Sequence, residues 1–317
     1  MEIAENLKTA LKLESENLKI NSLKVNAVGI SENYRKTIKK SISNKKDVLA
    51  YALSRMPATY CAVYNSIKQT INNITILPKT MVDIGAGTGS ATFAVNELLN
   101  LENITCLEYE TEMLNLGQKL VSCDDKLSKL TTWEKFDLLK NKEIPTADLL
   151  ISSYVLNELP EEVHIKIVDK LWKSTNNLLI IVEPGTPKNF EQIKKIRNFL
   201  IEQGANLIGP CTHKKECPII NGDWCHFTVR VERSKIHKML KNGDSPFEDE
   251  KFTYLAFSKL ESVQAKARVL RHPQFMPKVV TLKLCQNDGK ICTVKIPKSN
   301  INYKIARDIK VGDQFPS

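Results

Sequence analysis

Met81-Val82-Asp83-Ile84-Gly85-Ala86-Gly87-Thr88-Gly89 is the stretch on which the reading of this 317-residue chain turns. An apolar run ending in an acid predicts a buried strand. Three glycines on alternate positions then predict a tight loop, and the pattern from Ser90 to Leu99 predicts a helix behind it. Strand, loop and helix in that order open a doubly wound sheet. Glycine lets the backbone turn tightly and approach a ligand with no Cβ in the way, while the helix N-terminus offers free N–H groups. The stretch therefore marks a nucleotide-type pocket.

Its spacing is Gly-x-Gly-x-Gly, not the Gly-x-Gly-x-x-Gly of the dinucleotide fingerprint, and Asp83 stands two residues before the first glycine. That pattern resembles motif I of methyltransferases that use S-adenosylmethionine (SAM). A second acid, Glu108, closes the next strand-like run, Ile104-Thr105-Cys106-Leu107. An acid at that strand tip can accept hydrogen bonds from both hydroxyls of a ribose lacking a 2′-phosphate. A solvated loop acid is the plain alternative, but motif and context agree. The predicted cofactor-binding residues are Asp83, Gly85, Gly87, Gly89 and Glu108.

The net charge is +10 and unevenly placed. Residues 1–60 carry 11 basic and 6 acidic side chains, residues 61–200 carry 15 and 18, and residues 201–317 carry 20 and 12. Basic flanks around a near-neutral core favour a polyanionic partner, RNA first, over a merely lysine-rich surface. No apolar run approaches membrane-spanning length, so no membrane partner is expected. The early acids Glu2 and Glu5 fit neither a signal peptide nor an arginine-rich transit peptide. They predict a cytoplasmic, bacterial protein, with the mitochondrial matrix disfavoured. In a reducing compartment the eight cysteines read as metal ligands or core residues, not disulfides.

Three regions are expected: a helical N-terminal region over 1–77, an α/β core over 78–265, and a β-rich tail over 266–317. In the first, helices run from Leu7 to Leu18 and from Ile30 to Leu53, and Pro57 starts another that covers the pocket. A basic run, Tyr34 to Lys46, lies along phosphates or faces water. In the core, helix Met113–Val121 leads to a short strand near Leu130-Thr131-Thr132, then a polar connection containing Trp133 and Asp137. Buried strands follow at Leu149–Ser153 and Asn177–Val182, whose carboxyl ends face the ligand side. Glu158 is read as a helix-capping loop acid ahead of a general base; Glu183 touches a ligand or fixes its turn. A strand over Glu248–Phe257 continues the sheet antiparallel. In the tail, Lys278–Cys285 and Lys290–Ile296 form a hairpin across Gln286-Asn287-Asp288-Gly289, part of a small barrel or OB-like module.

Segment 209–230 has its own chemistry. Cys211, Cys217 and Cys225 fall within fifteen residues, beside prolines that keep the chain extended. Three local thiols need a fourth, and Cys285 or Cys292 supplies it from the hairpin. Zinc sites prefer close Cys-x₂₋₄-Cys pairs, whereas the spacings here are five and seven intervening residues. A [4Fe–4S] cluster spreads its ligands and suits them better. In a zinc version His213 or His226 replaces a thiolate. Small core cysteines are the remaining alternative, which a loop bearing Lys214, Lys215 and Glu216 fits poorly. Arg230, Arg233, Lys235 and Lys238 follow and are expected to place positive charge beside the metal.

Together, Arg55-Met56-Pro57-Ala58-Thr59-Tyr60, Asp83 to Gly89, Asn157-Glu158-Leu159, Glu183-Pro184-Gly185-Thr186-Pro187, the three-cysteine segment with Asp223-Trp224-Cys225-His226-Phe227, and Asp288-Gly289 resemble the methyltransferase-like small-ribosomal-subunit assembly proteins of bacteria and mitochondria. The resemblance implies a class I SAM-dependent methyltransferase (Rossmann-like) core with a helical N-terminal extension, a cysteine-rich metal-binding insertion and a C-terminal β-rich module. It also implies a [4Fe–4S] cluster on Cys211, Cys217, Cys225 and Cys285, and a partner in the maturing small subunit and its rRNA. The expected function is a SAM-binding, iron–sulfur-containing factor that assists ribosome assembly and translation. The alternatives are an active rRNA methyltransferase, for which no catalytic base or nucleophile is assignable, and a zinc-stabilised RNA-binding protein.

Overall fold

The computed structural model describes residues 1–16, 44–141, 143–220, 222–241 and 243–316. The basic residues 34–40 lie outside these. Before the sheet come three helices, α1 (Glu5–Ser15), α2 (Lys45–Ser54) and α3 (Met56–Ile71). Asn44 starts α2 by accepting from the Asp47 N–H, and Pro57 sits in the first turn of α3, where its missing N–H costs nothing. The strands then follow as β1 (Thr80–Ile84), β2 (Asn103–Glu108), β3 (Thr131–Lys135), β4 (Ala147–Ser153), β5 (Thr175–Pro184), β6 (Asn206–Gly209), β7 (Phe227–Glu232) and β8 (Phe247–Ser258). Their order in the sheet is β3-β2-β1-β4-β5-β8-β6, with β7 also on β8. β1 to β5 are parallel and β8 is antiparallel, the class I methyltransferase arrangement.

Near-continuous apolar runs in β4 and β5 are what a sheet covered on both faces requires. One cluster holds β1, β2 and β4 against α3 and the helix Ser90–Asn96; the other packs their opposite faces on helices His164–Ser174 and Pro187–Glu202. β3 extends through Trp133 and does not end at Thr132. The indole packs against Gly117 of helix Thr111–Val121 and against Gly89.

At the sheet's edge, β6 pairs with Ala256–Ser258 and β7 with Phe247–Phe252 of the same strand. Phe252 also pairs with Pro184 of β5. β6 and β7 thus occupy one edge of β8 in succession, and Cys211, Cys217 and Cys225 belong to the chain between them.

The tail strands are β9 (Ala267–Val269), β10 (Gln274–Met276), β11 (Val279–Gln286), β12 (Ile291–Pro297) and β13 (Gln314–Phe315). The path is β10-β11-β9-β13, with β12 paired to β11, around a separate small core of Val269, Val280, Leu282, Leu284, Ile296 and Ile309 among others. It docks on the end of α3 through polar contacts, Gln69 Nε2 donating to Asp313 (2.7 Å) and Gln314 Nε2 to Asn73 (2.8 Å), and on the core through an apolar cluster of Leu270 and Cys285 with Phe190 and Ile219. No helix among the described residues is long and apolar enough to cross a membrane.

Candidate functional site

Gly85, Gly87 and Gly89 have φ of +61°, +58° and +91°, all in the left-handed region that a side chain disfavours. At Gly85 there is a second reason: a Cβ would stand 2.5 Å from a methyl of Val155, in the loop after β4. The loops after β1 and β4 meet where the strand order reverses, the usual ligand crevice of such sheets. The start of α3 lies over them, with the Thr88 hydroxyl 3.3 Å from Met56 Sδ.

Asp83 is fully buried. One carboxylate oxygen accepts from Thr92 Oγ1 at 2.9 Å and the other has no partner among the described residues. Burial pushes this carboxyl up to about 7, against the hydrogen bonds from Thr92. Glu108 accepts from the Gly87 N–H at 2.6 Å and the Glu110 N–H at 2.7 Å. Its carboxyl is also raised by burial, with these N–H groups opposing. Glu108 thus sits against the glycine loop, and since each carboxylate oxygen has two lone pairs, acceptor capacity for a ligand hydroxyl remains.

Glu183 holds the loop after β4, not its own Pro-Gly turn. It is buried and accepts from the N–H groups of Leu156 (2.9 Å) and Asn157 (3.2 Å); burial raises its carboxyl to about 8. Sequence reasoning gave Tyr154 no role, yet it is a bulky residue at φ +61° directly after β4. Its hydroxyl donates to Glu250 Oε1 at 2.8 Å, and Arg55 pairs with the same carboxylate at 3.3 Å. This network ties the α2–α3 junction to β4 and β8 across the crevice. The signal in the sequence was an aromatic residue just past an apolar strand, too common to be read as strain.

Cys211, Cys217, Cys225 and Cys285 line one cavity between helix Pro187–Glu202, the 210–226 segment and β11. Burial pushes the Cys225 thiol well up, and the other three cysteines add to it. The Cys285 thiol is raised to about 12, mainly by burial and then by Cys211; Cys217 is raised as well. Of the alternative fourth ligands, Cys292 packs against the tail core, and His226 stacks on Trp224 with its Nδ1 3.2 Å from the Trp224 carbonyl. His213 does reach the cavity, with Nε2 3.5 Å from Cys285 Sγ. Among the described residues no three His, Cys, Asp or Glu side chains stand closely enough to hold a metal ion, so the thiols edge a space and do not close on a point. The donor set fits a cluster: four thiols, apolar walls from Phe190 and Leu270, and no carboxylate lining among the described residues. Of the four cations expected to place positive charge here, Arg230 pairs with Asp249 at 3.0 Å and Arg233 with Glu248 at 2.9 Å, so their charge is met within the protein.

The chain is 24% identical over 289 residues to the human mitochondrial ribosome assembly protein METTL17, covering 84% of this chain and 62% of that protein. It is 23% identical to Rsm22-cox11 tandem protein 2, mitochondrial, of Schizosaccharomyces pombe, covering 85% of this chain and 43% of that one. This chain therefore spans less than two thirds of these relatives. Among solved structures, magnesium protoporphyrin IX methyltransferase from Synechocystis PCC 6803 with bound SAM superposes at a TM-score of 0.42 and 14% identity, covering 77% of this chain and 98% of that one. These names overturn the cytoplasmic placement, since both protein relatives are mitochondrial. The acids that suggested it, Glu2 and Glu5, belong to a segment folded onto the core: the Met1 carbonyl accepts from Glu232 N–H at 3.0 Å, and Lys8 pairs with both acids. They report on local packing, not on an address. The profile of the family described as mitochondrial small ribosomal subunit Rsm22 matches residues 45–316, and the chain belongs to that family.

Proposed function

We propose that this chain is a SAM-binding, iron–sulfur-containing factor that binds small-subunit rRNA and assists assembly of the small ribosomal subunit. Family membership and the name of its human relative support the ribosomal role. The left-handed glycine loop with Asp83 and Glu108 supports SAM, and the four-thiol cavity supports the cluster. A bound cluster would keep all four thiols ionised and clip the tail to the core through Cys285.

The observation that carries the RNA reading is charge. Residues 266–317 hold 11 basic and 3 acidic side chains, while residues 201–265 balance at nine of each. The positive charge of this half thus belongs to the tail sheet, and Lys278, Lys290, Lys295, Lys298, Lys304 and Lys310 are exposed. A binding role is favoured over rRNA methylation because the polar groups beside the crevice are engaged: Glu183 holds the loop after β4 and the Tyr154 hydroxyl is bound to Glu250. Filter binding of the full chain to small-subunit rRNA, with and without SAM, tests the reading. Binding that weakens steeply with salt and survives Gly85→Arg is expected. Absence of binding at low salt would sink it, and methyl transfer abolished by Gly85→Arg would favour the enzyme.

A further inference from the structure

Two arginines line the four-thiol cavity, and both are among the most enclosed polar residues of the molecule. Arg268, on β9, is 1% exposed; Arg197, on helix Pro187–Glu202, is 2% exposed. A guanidinium carries five N–H donors and does not lose its proton in proteins, so its charge must be met where it stands. The acceptors around these two are neutral. Arg268 Nε donates to the Pro210 carbonyl (2.9 Å), and Nη1 to Gln69 Oε1 (3.0 Å) and the Gly312 carbonyl (2.9 Å). Arg197 Nη2 donates to the carbonyls of His213 and Lys215 (both 2.7 Å), and Nη1 to Asn198 Oδ1 (3.0 Å). Arg268 Nη2 and Arg197 Nε have no partner among the described residues.

An arginine kept only as a strut would use those donors on the protein. Each of these uses three of its five donors and leaves one nitrogen without a partner, beside a cavity that no carboxylate lines among the described residues. The third cation at the rim, Lys194, is paired with Glu191 at 2.8 Å. The cavity wall therefore carries two positive charges whose hydrogen-bond partners are all neutral. Four thiolates around a [4Fe–4S] core in its 2+ state carry two negative charges, as do four thiolates around one zinc ion.

We propose that Arg197 and Arg268 are the counter-charge of a dianionic four-thiolate centre, holding it by electrostatics while the cysteines hold it by bonds. The inference rests on the metal-centre reading above and adds the two residues that make a double negative charge acceptable in the interior. The neighbourhood agrees: Arg197 acts to lower the thiol pKa of both Cys217 and Cys285, against the burial that raises them. The same charges set the direction of redox tuning. Reduction by one electron takes an iron–sulfur centre from two negative charges to three, which nearby cations favour.

The test uses the full chain purified without oxygen, as wild type and as Arg197→Gln, Arg268→Gln, Arg197→Lys and Arg268→Lys. Iron, sulfide and zinc per chain are measured, with the rate of metal loss to a chelator and urea unfolding of loaded and metal-free forms. Neutral variants are expected to release the centre faster, on the order of 100-fold, the scale of a buried charge left unpaired. The lysine variants should recover part of this. In the metal-free form the sign reverses: Arg→Gln raises the urea midpoint, because a buried charge met only by neutral partners has gone. An iron-loaded neutral variant should also show a more negative midpoint potential. Equal release rates in a loaded wild type and its neutral variants, or equal destabilisation of both forms, would overturn the proposal and leave the metal centre standing. A wild type holding neither iron and sulfide nor zinc would overturn the metal-centre reading and this inference with it. Zinc in place of iron would remove the potential shift alone, and the release rates would still decide.

Discussion

Burial raises the carboxyl of Asp83 to about 7 and that of Glu183 to about 8, and both consequences are measurable. A group whose folded value lies above its unfolded one gives its full stability below the unfolded value, near pH 4, and loses it as pH rises through the folded value. Stability should therefore fall from about pH 4 up to about pH 7 for Asp83 and about pH 8 for Glu183, by at most about 5 kcal/mol for each group. Urea midpoints across that range should flatten in Asp83→Asn and Glu183→Gln; a wild-type midpoint indifferent to pH would remove the argument. At Gly85 a methyl group meets both Val155 and a φ of +61°, so Gly85→Ala should cost about 1–3 kcal/mol in urea unfolding. It should also weaken S-adenosylhomocysteine binding by about tenfold or more in calorimetry, since about 1.4 kcal/mol is a factor of ten. At this scale the glycine loop was legible because its residues are chosen by backbone conformation, which is local. Arg268 was not. In Ala267-Arg268-Val269 it reads as the outward member of an alternating strand, and only the docking of the tail on Pro210 turns that outward face inward.

Among the elements, apolar periodicity located β1, β2, β4, β5, β8 and the β11–β12 hairpin because each buries a face whose pattern is written in consecutive residues. β3 escaped in part. It is a polar edge strand whose one large apolar residue, Trp133, is anchored by a glycine on a helix a dozen residues upstream. That packing supplies a prediction. A side chain at Gly117 would overlap the Trp133 ring, so Gly117→Ala should push helix Thr111–Val121 off β3, at about 1–3 kcal/mol. Tryptophan emission should shift to the red in the folded state. Unchanged emission and midpoint would mean that the helix yields freely. The break between β6 and β7 was invisible in sequence, because two short strands serving one edge look the same as strands of different sheets until their shared partner is known.

For the molecule as a whole, the main sheet is close to electrically balanced and the tail sheet is not. Binding to rRNA should therefore show a salt slope set by the tail, and Lys295→Ala with Lys298→Ala should reduce it by about two while leaving SAH binding unchanged. A slope unchanged by these substitutions would move the contact elsewhere. The placement of the cysteines has a further consequence. Residues 210–226 leave the sheet at β6 and re-enter it at β7, on the same strand, so both ends of the segment are anchored by ladder hydrogen bonds before any ligand arrives. Loop closure, the entropic penalty that leaves a small zinc finger unfolded without its metal, is here met by the edge of a preformed sheet. Of the four thiols, three are carried by the main fold and Cys285 by the tail, so a centre held by all four would join one sheet to the other.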